Sequence, residues 1–465
     1  MTTNIYAITD SHQESRNLSR LLSGIYNIEK DLNRPFLILD AGDLFKGIYD
    51  KDLSVNAYLK LKELLPQSEI VITLGNNDFG FKKSDFEYLK DTVKKFQNTG
   101  IKVVCANLSP KFVPEYEIIH INSEKILITG FCLNNSCAKK FGYELTPPEE
   151  SFEKLIESIN EEYDKIIVLN HHWYTYSKNL KDKFPQIDLI IGGHEHSPIE
   201  PDFERNIFYP YSFARSMCKI TSEKIENIPA DSLQFIPEFE IPIIEYEQKT
   251  KLKEPVIKRV LNLTKKYSDT CPLGTFISDK MKEAGETDIA FHSTGFTMYP
   301  LRLEDSPFIT KYDIERVICA STSIEKIEIT AKDLKKVFEN AFLYRMLKDR
   351  GNSRFLQCSQ NISITGQGNK KDNSYKILQI TINGKNLFDQ NQNLINPDQK
   401  FTCTIDRYIG AGEQGFEILK NIPKTTIIKN GKEIALNELF YEALKQAEKN
   451  FNGNSEYPSF KINEN

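Results

Sequence analysis

Five short aliphatic runs in the first two hundred positions, each closed by polar residues, constrain this chain more than any other feature. Ile5-Tyr6-Ala7-Ile8 leads to Asp10-Ser11-His12, and Phe36-Leu37-Ile38-Leu39 leads to Gly42-Asp43-Leu44-Phe45. Ile70-Val71-Ile72-Thr73-Leu74 precedes Gly75-Asn76-Asn77-Asp78, and Ile166-Ile167-Val168-Leu169 precedes Asn170-His171-His172. Leu189-Ile190-Ile191 precedes Gly193-His194-Glu195-His196. Runs that are apolar throughout suit parallel strands covered on both faces. The polar residues just past such strand ends converge on one crevice, where an open α/β sheet binds its ligand.

Asp, His and Asn are the donors needed to hold two divalent cations about 3.5–4 Å apart, one carboxylate bridging, so that a bound water is acidified and aimed at phosphorus. Five of the seven histidines of the chain lie in these loops. A lone histidine after a strand is usually structural. Five ordered motifs together point to a metal site.

At 465 residues the chain is long enough for two or three domains, each with its own core. With 40% hydrophobic and 27% charged residues it has the composition of a globular protein. A net charge of −5 excludes a broad polyanion-binding surface, so nucleic acid is not an expected partner and any phosphate affinity is local. No apolar run approaches a membrane span, and the sequence enters a strand at Asn4 or Ile5 without a leader pattern. The expected compartment is the cytoplasm, or the periplasm or extracellular space if a leader is removed. Eight scattered cysteines without Cys-x-x-Cys spacing read as buried free thiols, with Cys132 and Cys137 as the one conceivable disulfide.

Up to about residue 220, strands alternate with amphipathic segments at 18–32, 55–65, 85–96 and 152–159, which predicts a layered α/β domain over 1–245. An edge strand is expected over 235–246. A linker over 246–269 follows, helical from Pro255 because Val256, Ile257, Val260, Leu261 and Tyr267 recur at helical spacing. Residues 270–465 show mixed α+β character. Helices are predicted at 274–284 and 331–347, and strands at 289–291, 324–329, 362–364, 375–382 and 401–405. Asn- and Gln-rich 389–396 reads as a surface loop, and the last fifteen residues as a mobile tail.

The motifs, with Cys105-Ala106-Asn107-Leu108, resemble those of the bacterial and animal 5′-nucleotidases, in which a calcineurin-like metallophosphoesterase domain precedes a substrate-binding domain. In the second half Phe308-Ile309-Thr310, Ile327-Glu328-Ile329, 334–339, Phe355-Leu356-Gln357 and 408–416 are similar to that family's C-terminal domain. The resemblance implies a four-layer αββα sandwich followed by a smaller α+β domain. It implies one metal on Asp10, His12, Asp43 and His196, and a second on Asp43, Asn76, His171 and His194. The ions would be Mn, Zn, Fe or Ca. It further implies a monomer or homodimer of nucleotide catabolism that hydrolyses a nucleotide-like phosphate ester with a metal-bound hydroxide, the base stacked between Phe355 and Tyr408.

Departures from the pattern bear on the chemistry. Asn77 replaces the family histidine of the third loop, and Gly80 replaces its acidic partner, so Asn77 would assist Asp43 only by hydrogen bonding. His172 is an extra imidazole that would partly compensate. His292-Ser293-Thr294-Gly295-Phe296-Thr297 lacks the family's arginine, and Gln414 stands near its ribose-binding aspartate. Arg354 and Arg407 are the replacement cations. These changes leave open a phosphodiesterase or cyclic-nucleotide hydrolase, and a degenerate nucleotide-binding relative with little catalysis.

Overall fold

The computed structural model describes residues 3–32, 34–80, 82–134, 136–196, 199–266, 269–297, 299–318, 322–346, 355–369 and 374–464. The chain divides into two compact units, Met1–Lys249 and Thr250–Asn465.

In the first unit, strands β1 (Ile5–Ile8), β2 (Phe36–Asp40), β3 (Ser68–Thr73) and β4 (Lys102–Val104) pair in parallel, with Ile8 opposite Asp40 and Asp40 opposite Ile72. Ser216–Ile220 and Ile225–Pro229 extend this six-stranded sheet antiparallel beyond β1. A second, five-stranded sheet runs Ile207–Phe208, Leu189–Gly193, Lys165–His171, Glu124–Cys132, Tyr116–Ile121. Successive side chains of a strand face opposite ways, and here both ways are covered. Ile5 and Ala7 meet Ile126, Ile128, Ile167 and Leu169 between the sheets, whereas Tyr6 and Ile8 meet Leu18, Leu21 and Leu22 on the outer helices. On the other outer face Leu127, Val168 and Ile190 pack against Phe152, Leu155 and Leu180. The result is the αββα sandwich that continuous apolar strands require.

The second unit is α+β. A five-stranded sheet runs Leu356–Cys358, Ile289–Ser293, Lys400–Asp406, Ile324–Thr330, Lys424–Thr426. Helices Pro272–Gly285, Ala331–Met346 and Leu436–Lys449 contribute to its two apolar cores. The described cysteines, Cys132 and Cys137 included, are buried.

Three expectations fail here. The helix lies at Pro237–Thr250, where an edge strand is predicted, and Pro255–Lys258 is a strand paired with Phe308–Thr310 instead of the start of a linker helix. Ile257 is buried while Pro255, Val256 and Lys258 are exposed, a pattern set by pairing, with a register shift, to a partner some fifty positions away. Nor is the end of the chain a free tail. Lys461–Glu464 adds a parallel strand beside Ile362–Asn369, and the Phe460 ring lies 6.5 Å from both Phe342 and Phe355.

Phe460→Ala is therefore expected to destabilise the second unit by about 3–5 kcal/mol, as for other buried Phe truncations. Urea unfolding measures this, and unaltered stability would mean that the terminal segment is dispensable.

Candidate metal centre

The five loops predicted from sequence meet at one end of the sandwich. Asp10 and His12 follow β1, Asp43 follows β2 and Asn76 follows β3, while His171 ends its strand and His194 and His196 follow Leu189–Gly193. The first two loops zip together through the Asp10 amide to the Gly42 carbonyl (2.8 Å), His12 to Asp43 (3.0 Å) and Gln13 to Leu44 (3.0 Å). Asp10, His12, Asp43 and His194 lie in the left-handed region, with φ of 46°, 46°, 59° and 75°. For a non-glycine residue that conformation costs on the order of 1 kcal/mol and persists only where the surroundings impose it. Glycines let the loops close: a Cβ on Gly75 would lie 2.1 Å from Asp43 Oδ1, and one on Gly193 2.8 Å from His171 Nδ1.

The donors form two groups, Asp10, His12, Asp43 and His196, and Asp43, His171 and His194, the ligand atoms of each lying within 4.8 Å of one another. Asp43 belongs to both. Its Oδ2 is 3.5 Å from His12 Nε2 and 3.2 Å from His171 Nε2, and Asn76 Oδ1 is 3.2 Å from the same His171 nitrogen. His171 Nδ1 faces the Ala41 carbonyl at 2.7 Å and His12 Nδ1 the Phe45 carbonyl at 3.2 Å. Each carbonyl demands an N–H, so each imidazole turns the lone pair of Nε2 into the site. His12 Nε2 and His196 Nε2 approach to 3.0 Å, and among the described residues neither of the buried ring nitrogens of His194 has a hydrogen-bond partner. Unpartnered buried nitrogens are costly, and divalent cations between these donors would satisfy them. The residues therefore fit the ions that the sequence implies.

The electrostatics agree. Burial by itself would raise Asp10, but hydrogen bonding to His12 and the charge of His171 hold it well below the usual carboxylate range. Burial would likewise depress His171, yet the Asp43 and Asp10 carboxylates outweigh it and raise the imidazole to about 10. A site that attracts protons so strongly attracts metal cations for the same reason.

Three neighbours escape the sequence reading. Asp78 is buried and accepts from the amides of Asp43 (3.1 Å), Phe45 (3.0 Å) and Gly75 (2.7 Å), tying the second loop to the third. It stands in the Gly-Asn-Asn-Asp motif, but its inward aim is invisible in one dimension. Lys46 donates to Asn77 Oδ1 at 2.8 Å. The Trp173 ring meets His194 edge-on at a centroid distance of 4.0 Å. His172 is buried against Tyr176, accepts the Trp173 amide on Nδ1, and is pushed down to about 3 by burial and by His171.

The expected substrate residues of the second unit are placed differently. Phe355 is 0% exposed, its ring packed toward Phe342 and Phe460, so no face is open to a base. Apolar core packing has captured the ring intended as a clamp. Tyr408 is partly buried at the start of Arg407–Gly410 and packs on the same core. Arg407 pairs with Glu325 and Glu433, each at 3.0 Å, which occupies the cation expected to face substrate. His292 is an interior residue whose Nδ1 lies 3.0 Å from Ser278 Oγ. Arg354 and the side chain of Gln414 lie outside the described residues.

Residues 3–198 match the family model for calcineurin-like phosphoesterases, and residues 249–421 that for the 5′-nucleotidase C-terminal domain. The chain thus carries a calcineurin-like phosphoesterase region followed by a 5′-nucleotidase C-terminal region. A 5′-nucleotidase precursor from Thermus thermophilus shares the fold, with a TM-score of 0.75 at 17% identity over 100% of this chain and 99% of that one. The trifunctional nucleotide phosphoesterase protein YfkN of Bacillus subtilis is 22% identical over 94% of this chain but only 33% of its own length. The 5′-nucleotidase of Diplobatis ommata is 23% identical over 83% of this chain and 75% of its own. The chain thus spans about a third of the Bacillus protein that it matches.

Removing the Asp78 carboxylate in Asp78→Ala should weaken Mn²⁺ binding about 10–100-fold, the usual effect of losing a group that holds a ligand loop, as read by metal titration. In chelator-treated protein the raised His171, at about 10 against 6.5 ordinarily, adds stability that is complete below 6.5 and lost as pH climbs through 10. The thermal midpoint should fall across that window, and His171→Ala should flatten the fall.

Proposed function

We propose that this protein is a dinuclear-metal hydrolase of phosphate esters whose substrates are small and nucleotide-like. The observation that supports this reading most directly is the pair of buried donor groups sharing Asp43. In it, Asp10, His12, Asp43 and His196 hold one ion, and Asp43, Asn76, His171 and His194 the other. Bound divalent cations supply the Lewis acidity that ionises an attacking water and offsets charge on the phosphoryl oxygens. The chain contributes orientation. Ala41 and Phe45 set the tautomers of His171 and His12, Thr9 donates to Asp10 Oδ2 at 2.7 Å, and the His194 amide donates to the same oxygen at 2.9 Å. Asn77 aims its side-chain amide inward, the Nδ2 lying 2.6 Å from Asp43 Oδ2. It is the donor available to the transferring phosphoryl group.

The burial of Phe355 and the pairing of Arg407 favour a second reading of the specificity, in which the base is not clamped and leaving groups of varied shape are accepted. Hydrolysis of p-nitrophenyl phosphate, bis-p-nitrophenyl phosphate and a nucleotide panel with added Mn²⁺ separates the two. Under the nucleotide reading, nucleotides exceed the aryl esters in kcat/KM. Asp43→Asn should lose bound metal and turnover together. Metal-loaded wild-type protein that hydrolyses none of these esters would end the hydrolase reading.

A further inference from the structure

Lys46 is a cation built into the rim of the metal centre. Its backbone φ is +73°, a strained setting for a lysine, and both neighbours are held in place. The Phe45 amide donates to Asp78 and the Phe45 carbonyl faces His12 Nδ1, while the Gly47 amide donates to Gln13 Oε1 at 2.8 Å. A Cβ on Gly47 would lie 1.6 Å from the His12 carbonyl oxygen, so the loop presses directly on the ligand-bearing turn. From there the Lys46 ammonium reaches Asn77 Oδ1 at 2.8 Å, and its charge is felt at His12.

An ammonium only donates, so it must meet the oxygen of the Asn77 amide. The NH₂ is thereby turned inward, where it lies 2.6 Å from Asp43 Oδ2. Lys46 thus orients Asn77, polarises its amide as a donor, and adds a positive charge beside the place where Asp43 gathers its donors. A fixed charge there discriminates by ligand charge: a terminal phosphomonoester is a dianion near pH 8 and a phosphodiester a monoanion, so the monoester gains more.

We infer that Lys46, acting with Asn77, is the positioning and charge-selecting residue that makes terminal phosphomonoesters the preferred substrates of this centre. This rests on the hydrolase reading above. The test compares kcat/KM for p-nitrophenyl phosphate and bis-p-nitrophenyl phosphate in Mn²⁺-loaded wild type, Lys46→Met and Lys46→Arg at pH 8. Lys46→Met should lower the monoester-to-diester ratio by roughly tenfold to a hundredfold, the span of one charge-assisted hydrogen bond. Lys46→Arg should restore part of it. A loss equal on both esters would mean that Lys46 merely supports the loop and would overturn the inference. Calorimetric titration with inorganic phosphate decides independently of turnover. Phosphate binding that is weaker in Lys46→Met and partly recovered in Lys46→Arg supports the inference, and equal affinity in all three proteins refutes it. Wild type that binds phosphate through Lys46 yet hydrolyses neither ester would sink the hydrolase reading alone.

Discussion

The buried carboxylate of Asp43 is the point on which the first unit turns. A carboxylate in such a place is driven toward its neutral form by burial, and it stays charged only among cations and donors. Here His12 and His171 approach one of its oxygens, and Asn77 donates to both. No single sheet supplies all of these groups. Asp10, Asp43 and Asn76 lie past strands of the six-stranded sheet, whereas His171, His194 and His196 belong to strands of the other or follow them. The centre forms only because the sheets pack face to face, so the apolar layer containing Ile5, Ala7, Leu37, Leu39, Ile167 and Leu169 is also what sets ligand spacing.

Rigidity at this centre has an energetic source. Four candidate ligand residues hold left-handed backbone conformations that their side chains disfavour; for Asp10, His12 and Asp43 the strain is offset by the ladder between the first two loops and by Asp78 beneath them, and for His194 by its amide bond to Asp10. Lys46 shares in the same construction. Its strained φ and its clamp between Phe45 and Gly47 make it part of the scaffold, unlike the exposed lysines elsewhere that pair at separations of three or four residues along helices.

The second unit follows another logic. Its aromatic residues serve packing first: Phe338, Phe342, Phe355 and Phe460 are buried together, and the segment ending in Phe460 is held by a terminal strand. A ring that completes a core is unavailable as a stacking face, and the Arg407 charge is already partnered by Glu325 and Glu433. In the reading proposed above, discrimination among phosphates therefore falls to the first unit, where Lys46 and Asn77 stand beside the donors, and not to the residues that a family pattern alone would nominate.

Much of this was legible in one dimension because strand ends are local. An apolar run followed at once by Asp-x-His, Gly-Asp or Gly-His-x-His identifies both the strand and the side chains that its end presents, and all seven expected donors do meet. Helical amphipathicity over 331–347 and the parallel strands were readable for the same reason: their periods are written in the segment itself. The pattern at 255–268 misleads because its partner, Phe308–Thr310, is remote, and pairing across that distance overrides local spacing. Phe355 misleads because one aromatic letter serves equally in a core or at a surface. By itself the sequence determined the donors, their order and the strands that carry them. Only the tertiary structure decided which rings are buried, which cations are already paired, and that Lys46 reaches Asn77, because those outcomes depend on distances between segments that no local period encodes.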